Sequence, residues 1–431
     1  MEAVANQERP AVEYGLDERR DRFLEEIQDN SVNNRLDPRI NSFSSAVMLE
    51  YGATSAFREL LDSSLLARSD VEQPSLQANI LLRSIQKQLL RRENKYPKQF
   101  PYPEPYESVL AWRKDIRALS VSDTTERAEL IHDLSTRYPL SNIVERYKAF
   151  SLITQLMRGR FDRRPNIIDV GCSQNLGLKK LALKPMESDK PWQPAVSFGS
   201  FGEVVVTGGS KQRNQDRSDT INKLLRYNRA IGNSVGIDIE PIDDPDVKEF
   251  ARACSFYPSE LLPAQPTKPL VAELDNPPPV DQAAEYDFLD SLNPDQPKIS
   301  FFQGDFTNLD TAELTKKTGV SSADMVTIST VLDQVSQEAR DSMLATARRL
   351  VKPHGLIVVQ DFVHALSPTE LEFYDNWFEQ PYRYRTLISD GESSFTEFHE
   401  LFRWYNGRCK RLQLGRAISR LAISEGLGLA A

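Results

Sequence analysis

Three short apolar runs in this sequence lead into an aspartate, where a carboxylate could do binding work. The first, N-I-I-D-V-G-C-S-Q-N-L-G-L-K-K-L at 166–181, carries Asp169 and then a turn of Gly171, Cys172, Ser173 and, further on, Gly177. Small residues are needed where backbone must approach a ligand closely or take a positive φ. The second, V-G-I-D-I-E-P at 235–241, ends in Asp238, with Ile239 beside it. A carboxylate there can accept both hydroxyl protons of a ribose, as the acidic residue of the dinucleotide fold does. The third, F-F-Q-G-D-F at 301–306, sets Asp305 and Phe306 after its run. A carboxylate in that place could accept from an adenine amino group. Taken singly, each is also what an ordinary β-turn-α connection or a helix-capping aspartate would show.

The elements that must position these residues change character along the chain. Residues 1–16 read as a polar tail. From 17 to 160 the apolar spacing is helical: Phe23, Leu24 and Ile27, then Phe57, Leu60, Leu61 and Leu65, then Leu76, Ile80, Leu81, Ile85 and Leu89. Four prolines in 96–105 break the pattern, and helices resume near 106–118, 124–136 and 141–159. After Arg164, buried-strand runs at 166–170, 235–239, 299–302, 325–330 and 356–362 alternate with helical stretches such as 245–256 and 336–350. That alternation predicts an α/β domain over 161–431, a mostly parallel, doubly wound, Rossmann-like sheet preceded by an all-helical region. Residues 384–388 and 411–413 are weaker strand candidates. Two insertions interrupt the domain, 184–234 and 263–297. The first includes a candidate hairpin at 196–198 and 203–207 and a helix near 218–230. The second holds eight prolines and is acidic, the composition of a solvated loop.

The order of the motifs is more specific than any one of them. A strand and Gly-rich turn, an acid-ended strand, a Gly-Asp strand end, A-D-M-V-T-I-S-T-V-L-D-Q-V at 323–335, and L-V-K-P-H-G-L-I-V-V-Q-D-F at 350–362 follow in series. Over about 165–415 this series resembles the class I S-adenosylmethionine-dependent methyltransferases. The resemblance implies S-adenosyl-L-methionine as cofactor. It implies that Asp169, Gly171, Cys172, Ser173 and Gly177 form the loop for its methionine half. Asp238, with Ile239, would take the ribose, Asp305 and Phe306 the adenine side, and Ser329 the strand end under the methyl group. The family's usual loop is D-x-G-x-G-x-G, and here Ser173 replaces a glycine. The form V-G-C-S-Q-N-L-G-L is similar to a largely uncharacterised bacterial group with a V-G-A-S-A-G-L-N-L-type loop. A Rossmann dehydrogenase needs G-x-G-x-x-G after the strand and an acid about 20 residues on. Here the acid follows Asp169 by 69 positions and the triplet is missing.

Methyl transfer needs a general base only where the acceptor must lose a proton. The sequence offers Asp333, Asp361 and His364 at strand ends, each also readable as a cap or a surface residue. Two basic stretches bear on the acceptor: 211–229, with six Lys or Arg against two Asp, and 382–411, where arginines interleave with tyrosine and tryptophan. They could face RNA, an anionic small molecule, or solvent. Net charge is −9, which weighs against a general nucleic-acid binder. The expectation is therefore a small-molecule acceptor. RNA or protein methylation, and a catalytically silent fold acting as a binding or scaffolding module, are the alternatives. Three cysteines and four histidines show no metal spacing. No apolar run approaches a membrane span, and a cytoplasmic location is expected. The helical region and the 184–234 insertion are expected to form a lid and most of the acceptor site, because the common sheet supplies cofactor binding only. Oligomeric state is not legible.

Overall fold

The computed structural model describes residues 15–33, 38–67, 74–92, 108–121, 125–137, 144–156, 164–183, 201, 203–226, 231–254, 282–292, 297–332, 335–362, 384–390, 398–405, 409, 411–415 and 418. It divides into two compact units, one of Met1–Leu140 with Arg252–Ala283, the other of Ser141–Ala251 with Ala284–Ala431.

Among the described residues of the first unit, six α-helices precede Ser141: α1 Leu16–Asn33, α2 Pro38–Ala53, α3 Ser55–Ala67, α4 Pro74–Arg92, α5 Val109–Val121 and α6 Thr125–Thr136. Pro38 and Pro74 open their helices, where the missing N–H costs nothing. The stripes read from spacing are buried: Phe23 and Ile27 on α1, and Phe57, Leu60, Leu61 and Leu65 on α3. Helix α2 has no such stripe in the sequence reading, yet Phe43, Ala46 and Val47 are buried and Phe43 meets Trp112 of α5 edge-on. Two buried carboxylates are neutralised within this unit. Glu50 takes Arg113 at 2.7 Å and Arg117 at 2.9 Å. Asp133 takes Lys87 at 2.9 and 3.1 Å.

The second unit is built on a nine-stranded mixed sheet: β1 Ile167–Val170, β2 Val205–Thr207, β3 Ser234–Asp238, β4 Ile299–Gln303, β5 Ala323–Ser329, β6 Val351–Phe362, β7 Tyr384–Asp390, β8 His399–Trp404 and β9 Arg411–Leu414. The order is β2-β9-β8-β7-β6-β5-β1-β3-β4. The five strands read from the alternation, β4-β3-β1-β5-β6, are all parallel. Strands β7, β8 and β9 continue as an antiparallel meander, and β2 closes the edge parallel to β9. Residues 203–207 thus enter the sheet through β9, and 196–198 lie outside the described residues. Successive strand residues feed opposite faces. Ile167, Met325, Leu356 and Val358 join one core with Phe150, Ile153, Leu178 and Ile221, from α7 Lys148–Leu156, α8 Leu176–Ala182 and α9 Lys211–Arg226. Ile168, Val170, Val326, Ile328, Ile357 and Val359 join the other. There they meet Leu314, Met343, Ala347 and Leu350, from α12 Thr311–Thr318 and α13 Gln337–Leu350. Two further helices, α10 Pro245–Cys254 and α11 Gln282–Ser291, fall at the changes of unit. The helix read at 141–159 is in part a 3₁₀ turn, Val144–Tyr147, that runs into α7.

Candidate functional site

After β2, at the far edge of the sheet, the chain enters β3 and β4 on one side of β1, and later β5 and β6 on the other. A crevice beyond the carboxyl ends of the strands at such a reversal is where open α/β sheets bind ligands. The residues around β1 therefore come first.

Asp169 lies in β1 with no exposed surface. Its Oδ1 accepts from the Thr327 hydroxyl and its Oδ2 from the Tyr147 hydroxyl, both at 2.5 Å. Burial raises its pKa to about 6, against the pull of those two donors. The loop that follows turns sharply, with positive φ at Gly171, Ser173 and Asn175. The Gly171 and Cys172 amides donate to Ile237 O at 2.9 and 3.4 Å, which ties the loop to β3. The glycines also make room. A Cβ on Gly171 would stand 2.1 Å from Val331 Cγ2, and one on Gly177 would stand 1.8 Å from the Tyr147 ring. In this structure both spaces are filled by the chain's own side chains. The Cys172 thiol is buried and pushed well above its usual pKa, first by desolvation and then by Asp238 and Asp169.

Asp238 ends β3. Its Oδ2 accepts the Ser173 amide at 2.7 Å and its Oδ1 the Glu240 amide at 3.2 Å. Burial raises its pKa, opposed by these backbone donors. Ile239, the next residue, is 54% exposed, an apolar face beside a carboxylate at the rim of the sheet. Asp238 O accepts from the Gly304 amide at 2.9 Å, which brings the β4 end alongside. Asp305 there is exposed and caps the 3₁₀ turn Phe306–Asn308, accepting from Thr307 N at 2.8 Å and from its hydroxyl at 2.7 Å. Phe306 is buried in the core of the far face.

At the end of β5, Ser329 is nearly buried. Thr330 follows with φ 55°, an unfavourable region for a β-branched residue. Its amide donates to Gln360 O at 2.8 Å, and Arg146 Nη1 donates to its hydroxyl at 3.1 Å. Arg146 also donates to the Tyr384 hydroxyl and stacks over that ring at 4.6 Å. Gln360 Nε2 donates to Arg146 O at 3.0 Å, Thr386 Oγ1 to Gln360 Oε1 at 3.0 Å, and Trp404 Nε1 to Thr386 Oγ1 at 2.9 Å. Asp361 is fully buried and accepts Leu332 N at 2.8 Å.

The structure thus gathers Asp169, Gly171, Cys172, Ser173, Gly177 and Asp238 in one place. Ile239 and Asp305 stand at the exposed rim, and the Phe306 side chain packs away in the core. Asp333 and His364 lie outside the described residues. Sequence reasoning missed Arg146, Thr327, Gln360 and Thr386 as members of the site. The available signal was a polar residue inside an otherwise apolar strand. Of the basic stretches, Arg385 and Arg403 both bind Glu400, at 2.8 and 2.6 Å. Arg217 is buried and its pKa lowered by that burial and by Arg213.

No family model and no curated protein matches this sequence. Among solved structures, it is similar to one from Bordetella parapertussis described as a possible exported protein. That match has 14% identity and a TM-score of 0.25, over 70% of this chain and 81% of that one. It is also similar to one from Listeria monocytogenes named as a candidate class I S-adenosylmethionine-dependent methyltransferase. There the identity is 9% and the TM-score 0.27, over 87% of this chain and 98% of that one. At such low scores neither likeness carries weight beside the strand order and the strand ends. No described helix is long and apolar enough to cross a membrane.

Proposed function

We propose that the second unit binds S-adenosyl-L-methionine at the carboxyl ends of β1, β3 and β4, and that the protein transfers its methyl group to a small-molecule acceptor. The observation that carries the reading is Asp238. It is a carboxylate at the end of the strand beside β1, next to the order reversal, with its Oδ2 on the amide of the β1 loop. A carboxylate has about four acceptor sites. Two are taken by the Ser173 and Glu240 amides and the Ile239 amide also faces the carboxylate, which leaves room for one or two ribose hydroxyls. Ile239 offers an exposed apolar surface for a base. The loop also holds a buried acceptor without a protein partner, Gln174 Oε1. An unsatisfied buried acceptor costs about 1–3 kcal/mol, and a ligand ammonium would relieve it. The residues therefore fit the cofactor's two polar ends.

When bound, S-adenosyl-L-methionine supplies a methyl carbon activated by a positive sulfur. The chain's own part is to hold the ligand ends, orient the acceptor and exclude water. Asp169 cannot meet a ligand where it stands. It braces the loop through Tyr147 and Thr327. Asp361 is likewise committed to the Leu332 amide, so proton removal is assigned to Asp333 or His364, where the acceptor requires it. A small acceptor is favoured over RNA because Arg385 and Arg403 are both engaged by Glu400. Acceptor choice is assigned to what the second unit adds to the common sheet, the 184–234 insertion above all. Calorimetry of the full chain with S-adenosylmethionine and S-adenosylhomocysteine tests the reading. Saturable one-site binding of both is expected, and no heat with either ligand sinks it.

A further inference from the structure

Arg146 and Tyr147 are consecutive, yet they bond to different sides of the order reversal. Tyr147 reaches the β1 side. Its hydroxyl holds Asp169, and its ring fills the space over Gly177, where an added Cβ would meet three ring carbons at 1.8–2.1 Å. Phe150 backs that ring edge-on at 5.2 Å. Arg146 reaches the β5 and β7 side, with its guanidinium on Thr330 and Tyr384 and its carbonyl on Gln360. Neighbouring Cα atoms stay about 3.8 Å apart, so neither contact set can shift without moving the other.

The two sides also meet directly. Thr330 is held at φ 55°, and the next residue, Val331, fills the space over Gly171. A strained, non-glycine backbone persists only where its surroundings fix it, and such residues cluster at functional sites. The contacts form a closed ring: Tyr147 to Asp169 and Gly177, the β1 loop to Val331, Thr330 to Arg146, and Arg146 back to Tyr147. Ordinary core packing would hold each loop separately. A ring of this kind makes their positions depend on one another.

We propose that the Val144–Tyr147 turn sets the site, with Arg146 and Tyr147 as positioning residues that couple the loop after β1 to the end of β5. The proposal rests on the cofactor reading for its purpose, since that reading seats the ligand on the β1 loop and the expected strand end under its methyl group is Ser329 of β5. Its physical content, the coupling, is independent of ligand.

Amide hydrogen exchange on the full chain tests it through bonds already described. The Ser173 amide reports the β1 loop, and the Thr330 and Leu332 amides report the β5 end. Thr330→Ala removes the acceptor of Arg146, and Thr330→Ser keeps it. We expect Thr330→Ala to speed exchange at Ser173, which it does not touch, by about tenfold, the effect of one charged hydrogen bond. Thr330→Ser should leave it unchanged. Tyr147→Phe keeps the ring, loses the hydroxyl, and should speed exchange at Thr330 and Leu332 to a similar extent. Binding of S-adenosylhomocysteine should weaken by about tenfold in Thr330→Ala and Tyr147→Phe and hold in Thr330→Ser. Exchange effects confined to each residue's own partner overturn the coupling, whatever the ligand does. A cross-loop effect in the variants, with no binding of S-adenosylhomocysteine by the wild-type protein, overturns the cofactor reading and leaves the coupling standing.

Discussion

Asp238→Ala separates a ligand-binding carboxylate from a loop brace. Two acceptor sites of the carboxylate are occupied by the Ser173 and Glu240 amides. The Ile239 amide faces it as well, so about one or two remain for a ligand. A hydrogen bond to a charged group is worth about 1.5–3 kcal/mol. Losing two such bonds costs about 3–6 kcal/mol, or roughly 10²- to 10⁴-fold in Kd. If only one is made, the floor is about tenfold. The same substitution leaves the Ser173 amide without its acceptor, at about 1–3 kcal/mol of stability. Asp238→Asn is the companion, since its amide oxygen can still take the Ser173 amide while the charge is gone. The assay is calorimetry with S-adenosylhomocysteine beside a thermal melt. The expected pattern is a large affinity loss in both variants and a larger melting loss in the alanine. A lowered melting temperature with unchanged affinity would refute the ribose role and leave Asp238 as a brace for the β1 loop.

Other outcomes can be checked on the protein alone. Gly177→Ala should destabilise by about 1–3 kcal/mol or more, because the Tyr147 ring is backed by Phe150 and cannot yield freely. Gly52→Ala on α2, with nothing within 4 Å of the new Cβ, should be neutral or stabilising in the same urea titration. Burial raises the folded-state pKa of Asp169 from 3.8 to about 6, so its contribution to stability is full below about pH 4 and is lost as pH rises through about 6. Thr327→Val removes a donor that lowers this pKa, so the loss should extend to higher pH. An identical stability-versus-pH curve would rule that out. Lys87→Met should cost about 1.5–3 kcal/mol, because the Asp133 carboxylate loses its two short bonds and keeps Arg137 at 3.8 Å. Lys87→Met with Asp133→Leu should recover part of it, and equal stability of the single and double variants would contradict this account.

The parallel core was legible because its strands are buried on both faces. Ile167, Ile168, Val326, Ile328, Ile357 and Val359 read as continuous apolar runs between turn residues. Strand β8, H-E-L-F-R-W, was not read as a strand. Its paired charges, Glu400 and Arg403, break the apolar run, and Glu400 also takes Arg385 across the strand pair. Strand β2 falls within the expected 203–207 run, with Val206 in the core, but its pairing with β9, about 200 positions on, is encoded by no local pattern. The sequence pointed to the glycine turn and to Asp238. Gly171 and Gly177 were read as approaches for a ligand, whereas Val331 and Tyr147 occupy the space beside them. That pairing joins residues 160 and 30 positions apart, which no local pattern encodes. Tyr147 itself lies just before an apolar helix, where its spacing reads as core.

The placement of polar residues on one face of the sheet bears on why a site belongs here. Ile167, Met325, Leu356, Val358 and Ile388 form part of one apolar core. Toward the carboxyl ends of β1, β5 and β6 the same face changes to Asp169, Thr327, Ser329 and Gln360, with Thr386 opposite Gln360 on β7, all nearly or fully buried. Burying a carboxylate, two threonines and a glutamine costs desolvation that their mutual hydrogen bonds at best offset. Valine or leucine at these positions would serve stability as well or better. The network is nonetheless closed by donors on Tyr147 and Trp404 and by the Arg146 carbonyl, which accepts from Gln360. It stands at the end of the sheet where parallel α/β folds take their ligands. A sequence that departs from the apolar rule at the carboxyl edge, and keeps it below on β1, β5 and β6, has accepted a cost that folding does not require. Positioning of the β1 loop and the β5 end is the function that this cost most directly serves.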